Sequence, residues 1–159
     1  MKLLFILTIL SLSTEALSTI RGFYNAAIES EASALKFEKY LKSLQVDEPI
    51  VVGYIGANKM LLAKYAILPT QKYAHFSEGR QKLDKAIAAS PESLELRFLR
   101  YSIQLNSPSF LGYNKEITAD RALLINKVAS LSDHELKVKI ISFLVVSGGL
   151  SDAERILLK

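Results

Sequence analysis

The sequence contains no cysteine, and its only histidines are His75 and His134. Without cysteine the protein has no disulfide, no thiolate nucleophile and no cysteine that could be acylated behind an export signal. A zinc site takes three or four ligands, and the two histidines are neither paired at helical spacing nor part of a His-Glu-x-x-His motif. We therefore expect no metal ion and no cofactor, so the fold must be stabilised by packing alone.

Catalytic motifs are also missing from the sequence. It has no Gly-x-Ser-x-Gly nucleophile elbow, and Glu29 and Glu31, two positions apart, face away from each other on a helix. Gly53 and Gly56 lack the preceding strand and the fuller glycine pattern of a phosphate-binding loop, so we interpret them as small residues that let another helix approach closely. No residue is nominated as a catalyst, which favours a non-catalytic protein and leaves an enzymatic role open.

Charge of one sign is not in large excess. The protein has 20 lysines and arginines against 16 aspartates and glutamates, a formal net charge of +4. Basic and acidic residues are interleaved, as in KFEK at residues 36–39, which is typical of solvated helix faces rather than of a phosphate-binding stripe. We therefore expect no binding to nucleic acid.

The first 18 residues, MKLLFILTILSLSTEALS, have the organisation of a secretory signal peptide. Lys2 gives a short positive region, residues 3–12 form an apolar run, and Ala16 and Ser18 are the small residues that cleavage requires. The run is shorter than the roughly 20 apolar residues of a membrane-spanning helix. We predict cleavage after Ser18, which leaves one soluble domain, residues 19–159, in the periplasm or outside the cell, with no stable membrane insertion. The alternative is an uncleaved signal anchor.

A repeat of about 42 residues emerges when YLKSLQVDEPIVVGY, KLDKAIAASPESLEL and LLINKVASLSDHELKV are aligned. Pro49, Pro91 and Asp133 then fall in register. We predict that each begins a new helix, behind the cap residues Glu48, Ser90 and Ser132. The pattern predicts helices over residues 19–30, 32–44, 50–68, 70–89, 92–106, 115–130, 133–147 and 152–158.

No segment shows the sustained alternation that is typical of strands, so we predict an all-α fold, a right-handed stack of about four antiparallel helical hairpins. KLDKAIAASP resembles the end of a tetratricopeptide repeat, whose second helix carries a small residue, here Ala86, five positions before a proline, here Pro91. That family has a period of about 34 residues and a first-helix Trp and Gly that this protein lacks. GYIGA, AKYAILP, RFLRYSIQ and SPSFLGY resemble an uncharacterised family of small exported helical proteins from Bacteroidetes-type bacteria, which implies a helical fold and export and no particular activity.

The helix predicted over residues 92–106 has two apolar faces. At about 100° per residue, one face carries Leu94, Phe98, Tyr101 and Leu105, and the roughly opposite face carries Leu96, Leu99 and Ile103. Such a helix is buried on both sides, as the inner helices of a stack are.

A polar arc separates these two faces, and we call it the arginine arc: Ser93, Arg97, Arg100 and Gln104. In one interpretation it lines a groove, where the guanidinium forks bind a carboxylate or a phosphate. In the other it faces water or pairs with a neighbouring acidic residue, namely Glu78, Glu116 or Asp120.

The loop over residues 107–114 is unusually apolar. Phe110, Leu111 and Tyr113 either fold back over the adjacent helices or contact a partner, and folding back is favoured because an exposed cluster would promote aggregation. Gly112 is suited to a positive φ, and Asn114 to capping the next helix.

These patterns favour a non-catalytic binding or scaffold module whose groove holds an acidic protein or peptide. Two groups of residues are the candidates for contact with the partner: Lys59, Lys64, Tyr65, Arg97, Arg100, Tyr101 and Gln104 in the groove, and Phe110 and Tyr113 in the loop. One alternative is a small-ligand-binding or enzymatic protein with a pocket between the second and third hairpins. Another is a structural protein of the cell envelope, held by the retained signal anchor.

Overall fold

The computed structural model describes residues 12–158, and over these residues the protein is all-α, as predicted, with no β-strand. Eleven residues of the predicted signal peptide lie outside the described part, and the predicted cleavage site after Ser18 falls within the first helix. The helices are α1 (Thr14–Glu29), α2 (Glu31–Leu44), α3 (Pro49–Tyr65), α4 (Pro69–Ala89), α5 (Leu94–Asn106), α6 (Ile117–Lys127), α7 (His134–Ser147) and α8 (Asp152–Leu157), with 3-10 turns at Ser109–Leu111 and Val128–Ser130. No helix in this part of the sequence is both long and apolar enough to cross a membrane.

Pro49 begins α3 as predicted, whereas the predicted helix starts at Pro91 and Asp133 are wrong. Pro91 lies in the turn before α5, because Ser93 is better placed as the cap: its hydroxyl accepts a hydrogen bond from the Leu96 backbone N–H at 3.3 Å. Asp133 is itself the cap of α7 and precedes the first helical residue. The residues aligned by the 42-residue repeat therefore occupy three different positions. Pro49 is the first residue of a helix, Pro91 lies in the turn before one, and Asp133 is an N-cap.

The closest helix packing joins α3 to α4 at two glycines. A Cβ added to Gly56 would lie 2.6 Å from the Gly79 carbonyl oxygen, and one added to Gly79 would lie 2.5 Å from the Gly56 carbonyl oxygen. Gly53 faces Ala86 on α4, so the two helices run antiparallel. The prediction that small residues in α3 permit a close helix approach is confirmed.

The interior has two apolar clusters, and α5 contributes to both. Leu96 and Leu99 join the cluster built mainly by α1 to α4, while Leu94, Phe98 and Tyr101 join a second cluster with α6, α7 and the C-terminal segment. The two-faced packing of this helix is therefore confirmed. Leu105, near its C-terminal end, is the exception and is 42% exposed.

Candidate functional site

The two arginines of the arginine arc converge on Asp120, a fully buried carboxylate of α6. Arg100 is bidentate: its Nε lies 2.7 Å from Oδ2 and its Nη2 2.8 Å from Oδ1. Arg97 adds a third bond, from Nη1 to Oδ1 at 3.0 Å. Burial alone would lower the pKa of Arg100, but the hydrogen bonds and charge of Asp120 raise it overall. Pairing with Asp120, one of the alternatives foreseen for the arc, joins α5 to α6.

A cavity of about 230 Å³ opens to solvent beside this ion pair, between α4, α5 and the segment that leads into α6. We call it the α4–α5 cavity. It brings together three of the residues selected from the sequence, namely Arg100, Gln104 and Tyr113. The rest of its lining is Arg80, Asp84, Gly112, Lys115 and Glu116.

The apolar loop beside this cavity divides between the two predicted behaviours. Tyr113 folds back and is buried: its ring packs edge-on against Phe76 with centroids 5.7 Å apart, and its hydroxyl donates to Asp84 Oδ1 at 3.2 Å. Burial and the charge of Asp84 raise the pKa of this hydroxyl. Phe110, in contrast, is 84% exposed. Gly112 has the positive φ expected of it, 60°.

The predicted capping of the next helix by Asn114 is wrong. Helix α6 begins at Ile117, and the residue in the cap position is Glu116, whose side chain makes no capping hydrogen bond. The helix starts later because residues 115 and 116 form a turn, and both of them line the α4–α5 cavity.

The basic and aromatic residues selected on α3 lie away from the α4–α5 cavity. Lys59 forms ion pairs with Glu38 at 3.0 Å and with a glutamate of α4. The Lys64 ammonium and the Tyr65 hydroxyl donate to the Ile28 carbonyl oxygen, at 3.3 Å and 2.7 Å, and so bind the C-terminal end of α1. These contacts connect α3 to its neighbours.

Tyr101, the remaining aromatic candidate, points into the second apolar cluster. It is 3% exposed, and its ring packs edge-on against Phe143 with centroids 5.8 Å apart. The two sides of α5 explain this position, because Tyr101 shares the face of Leu94 and Phe98 and not the arginine arc.

Sequence reasoning missed a buried ionic cluster centred on Arg21, a residue of α1 that is 1% exposed. Its guanidinium is bidentate to Glu95, at 2.7 Å and 2.8 Å, and also reaches Asp133 at 2.8 Å and Glu135 at 3.4 Å. The Tyr54 hydroxyl donates to Glu95 at 2.6 Å. We call these five residues the Arg21 cluster, and it links α1, α3, α5 and α7. A glutamate between two buried leucines of α5 was the available signal.

Three members of the Arg21 cluster, namely Arg21, Asp133 and Tyr54, have shifted pKa values. Hydrogen bonds to Glu95 raise the pKa of Arg21, and the hydrogen bond from Arg21 lowers that of Asp133. Burial, with the charge of Glu95, raises the pKa of Tyr54. Arg21 and Asp133 are therefore charged and Tyr54 is neutral over the physiological range, so the cluster holds α1 in place without a proton transfer.

A second cavity, of about 400 Å³, lies between α6 and α8 and is bordered by an ion pair of Arg121 with Glu154. Arg121 Nη1 is 2.5 Å from Glu154 Oε1, and Glu154 also accepts from the Ser151 backbone N–H, completing a capping box at the start of α8. The Arg121 hydrogen bond lowers the pKa of Glu154 from 4.5 to about 2.

The lowered pKa of Glu154 predicts a loss of stability in acid. Because the folded pKa lies below the unfolded one, the stabilisation is complete above pH 4.5 and is lost as the pH falls toward 2. We expect Glu154→Gln to weaken this dependence of the unfolding midpoint, measured in urea between pH 5 and pH 2.5. Asp152→Asn, a change in the same helical turn, is the control. Parallel pH profiles for wild type and Glu154→Gln would contradict the assignment.

Comparison of the sequence and fold with protein-family models, with curated proteins and with solved structures finds no match.

Proposed function

We propose that this protein is an exported, non-catalytic binding module that holds an acidic protein or peptide. Its helices would form a tetratricopeptide-like right-handed stack of hairpins. Close contact of α1 with α2, of α3 with α4 and of α5 with α6 supports this arrangement, and so does the burial of α5 on two sides. The signal-peptide pattern of residues 1–18 supports export.

One observation carries the choice of surface: the α4–α5 cavity opens where an exposed aromatic residue and an unpaired cation lie close along the sequence. Phe110 is 84% exposed and stands two residues before Gly112 of the cavity lining. Lys115, also in the lining, is exposed and forms no ion pair with any residue in the range 12–158. An aromatic anchor beside a polar recess and a positive charge is typical of a surface that binds an acidic partner.

The size of the α4–α5 cavity favours a partner's side chain over a complete small molecule. Pockets for small ligands usually measure about 300–1,000 Å³. At about 230 Å³ and open to solvent, this cavity is below that range and suits a group of a few heavy atoms. A peptide or protein that inserts one side chain and contacts Phe110 beside it satisfies both features.

This proposal predicts binding to acidic peptides that depends on the surface around Phe110. We expect the mature protein to bind a set of peptides from an array of paired sequences that differ only by Glu or Gln, with the Glu member preferred. Phe110→Ser together with Lys115→Ala should weaken this binding at least tenfold, because the double variant removes the aromatic anchor and the positive charge that contact the peptide. Both residues are exposed, so the core should stay intact.

The matched control changes one apolar and one basic residue that are exposed elsewhere: Val146→Ser with Lys36→Ala. It should bind the peptides as the wild type does. Equal weakening by the two double variants, or an array without preference for Glu over Gln, would contradict the proposed function. Arg97→Ala and Arg100→Ala are unsuitable tests, because they would leave buried Asp120 without its partners.

A further inference from the structure

Gln104 is a buried amide whose hydrogen-bonding capacity is not fully used. The side chain is 3% exposed, and within the described residues its Oε1 has no hydrogen-bond partner. Buried amides nearly always find a partner, so such a group calls for an explanation. Gln104 lies in the wall of the α4–α5 cavity, and its Nε2 donates no hydrogen bond to any of the described residues.

Within residues 12–158, Asn58 is the other amide whose buried oxygen has no hydrogen-bond partner, and it differs from Gln104 in two ways. Its Nδ2 donates to the Ala34 carbonyl oxygen at 2.9 Å, so the side chain is fixed between α2 and α3. It lines neither of the two cavities described above. Gln104 is therefore distinguished by its position at an opening to solvent.

Arg100 contributes a second unused donor to the same wall. Its Nε and Nη2 are committed to Asp120, but Nη1 has only Asp84 Oδ1 at 3.6 Å, beyond hydrogen-bonding distance. The same Asp84 oxygen already accepts the Tyr113 hydroxyl. Arg100 Nη1 and the Gln104 amide therefore lie at the recess with hydrogen-bonding capacity that no described residue uses.

The charges around the recess favour an anionic occupant. Four cations and three carboxylates line the cavity or take part in the adjacent ion pairs of the arginine arc with Asp120. The cations are Arg80, Arg97, Arg100 and Lys115, and the carboxylates are Asp84, Asp120 and Glu116. A single carboxylate would neutralise the remaining positive charge.

A carboxylate can also satisfy both unused groups at once. Oε1 is the enclosed end of the Gln104 amide, so a molecule in the recess meets the Nε2 group, which is a hydrogen-bond donor. One carboxylate oxygen could then accept from this NH₂ group and the other from Arg100 Nη1, the geometry that guanidinium and amide donors favour.

We infer that the α4–α5 cavity is a carboxylate-binding site, in which Gln104 and Arg100 hold the carboxylate of an acidic side chain or the terminal carboxylate of a peptide. That the carboxylate belongs to a protein or peptide rests on the proposed function. That the cavity binds a carboxylate follows from the residues that line it. Lys115 at the mouth attracts the anion, and Gln104 selects a group that can accept a hydrogen bond.

Gln104→Leu is the variant that isolates this site. It removes the amide, keeps a similar side-chain volume and creates no new unpaired polar group, so the fold should keep or gain stability. Lys115→Glu is a second variant, which reverses the charge of an exposed residue at the mouth without touching the core. Asn126→Leu, at an exposed position in the lining of the other cavity, is the control.

The test is a titration of the mature protein, followed through the backbone amide signals of residue 104 and Gly112 by nuclear magnetic resonance. The probes are acetyl-Ala-Glu-Ala-amide, its Gln counterpart, and acetate. We expect saturable shifts with the Glu peptide and none with the Gln peptide. Gln104→Leu and Lys115→Glu should each weaken the binding at least tenfold, and Asn126→Leu should leave it unchanged.

The possible failures separate this inference from the proposed function. Saturable binding of acetate that Gln104→Leu abolishes, with no peptide bound, would keep the carboxylate site and overturn the protein or peptide partner. Array peptides that bind wild type and Gln104→Leu equally would keep the partner and overturn the site. Shifts that are absent, or that persist in Gln104→Leu, overturn the carboxylate site in either case.

Discussion

Gly56→Ala and Gly79→Ala will each lower the free energy of unfolding by about 3 kcal/mol, while Gly22→Ala will raise it by about 0.5–1 kcal/mol. The added methyl group at Gly56 would meet the Gly79 carbonyl oxygen at 2.6 Å and the Leu83 backbone nitrogen at 2.7 Å. Backbone atoms in two packed helices cannot turn aside as a flexible side chain can. Helices α3 and α4 must therefore separate, and the apolar contacts on both sides of the glycines loosen with them.

Gly22 is the matched control for this prediction, because it also lies within a helix but faces solvent. No atom lies within 4 Å of the position its Cβ would take. Alanine there keeps the helix and reduces the conformational freedom of the unfolded state, which stabilises the fold. Urea unfolding followed by circular dichroism measures all three variants. A change of the same sign and size at Gly22 and Gly56 would show that helix propensity, and not the close approach, decides the effect.

Helix periodicity made the glycine contact and the packing of α5 predictable. Both are local patterns: Gly53 and Gly56 recur at helical spacing, and Leu96 and Leu99 lie opposite Phe98 on the same helix. Leu105, the side chain of α5 that departs from this pattern, is near the C-terminal end of the helix, where the neighbouring helices no longer cover both faces. Periodicity therefore describes the middle of a helix better than its last turn.

Helix starts and charge partners were harder to predict, for different reasons. Pro91 matches the first position of a helix, but Ser93 competes with a hydroxyl that reaches a free backbone N–H, and only the path of the turn decides between them. Tyr113 and Phe110 are close in the loop, and their opposite exposure depends on Phe76 and Asp84 of α4, far away in the sequence.

The partners of the arginines show the same limit. Asp120 is one of three acidic residues that the sequence offers as partners for Arg97 and Arg100, and sequence spacing does not choose among them. Arg21 and Glu95 lie 74 residues apart, so no local pattern joins them. A cavity such as the one beside Gln104 is harder still, because it depends on space that several elements leave unfilled.

Arg21→Met will lower the free energy of unfolding by about 4 kcal/mol, because it removes one partner from a buried ion pair. Glu95, 6% exposed, would lose both of its hydrogen bonds from Arg21 and keep only the one from the Tyr54 hydroxyl. Urea unfolding at neutral pH measures the loss. Hydrogen exchange should show α1 as the first element to open, since Arg21 is its main polar attachment to α5 and α7.

A double variant decides whether this loss comes from the stranded carboxylate or from packing. Glu95→Gln keeps the shape of the side chain and still accepts from Tyr54, so adding it to Arg21→Met should recover about half of the lost stability, or about 2 kcal/mol. Purely additive effects of the two substitutions would mean that the charges do not interact. Arg21 lies beyond the predicted cleavage site after Ser18, so a chain cleaved there would keep every residue of the cluster.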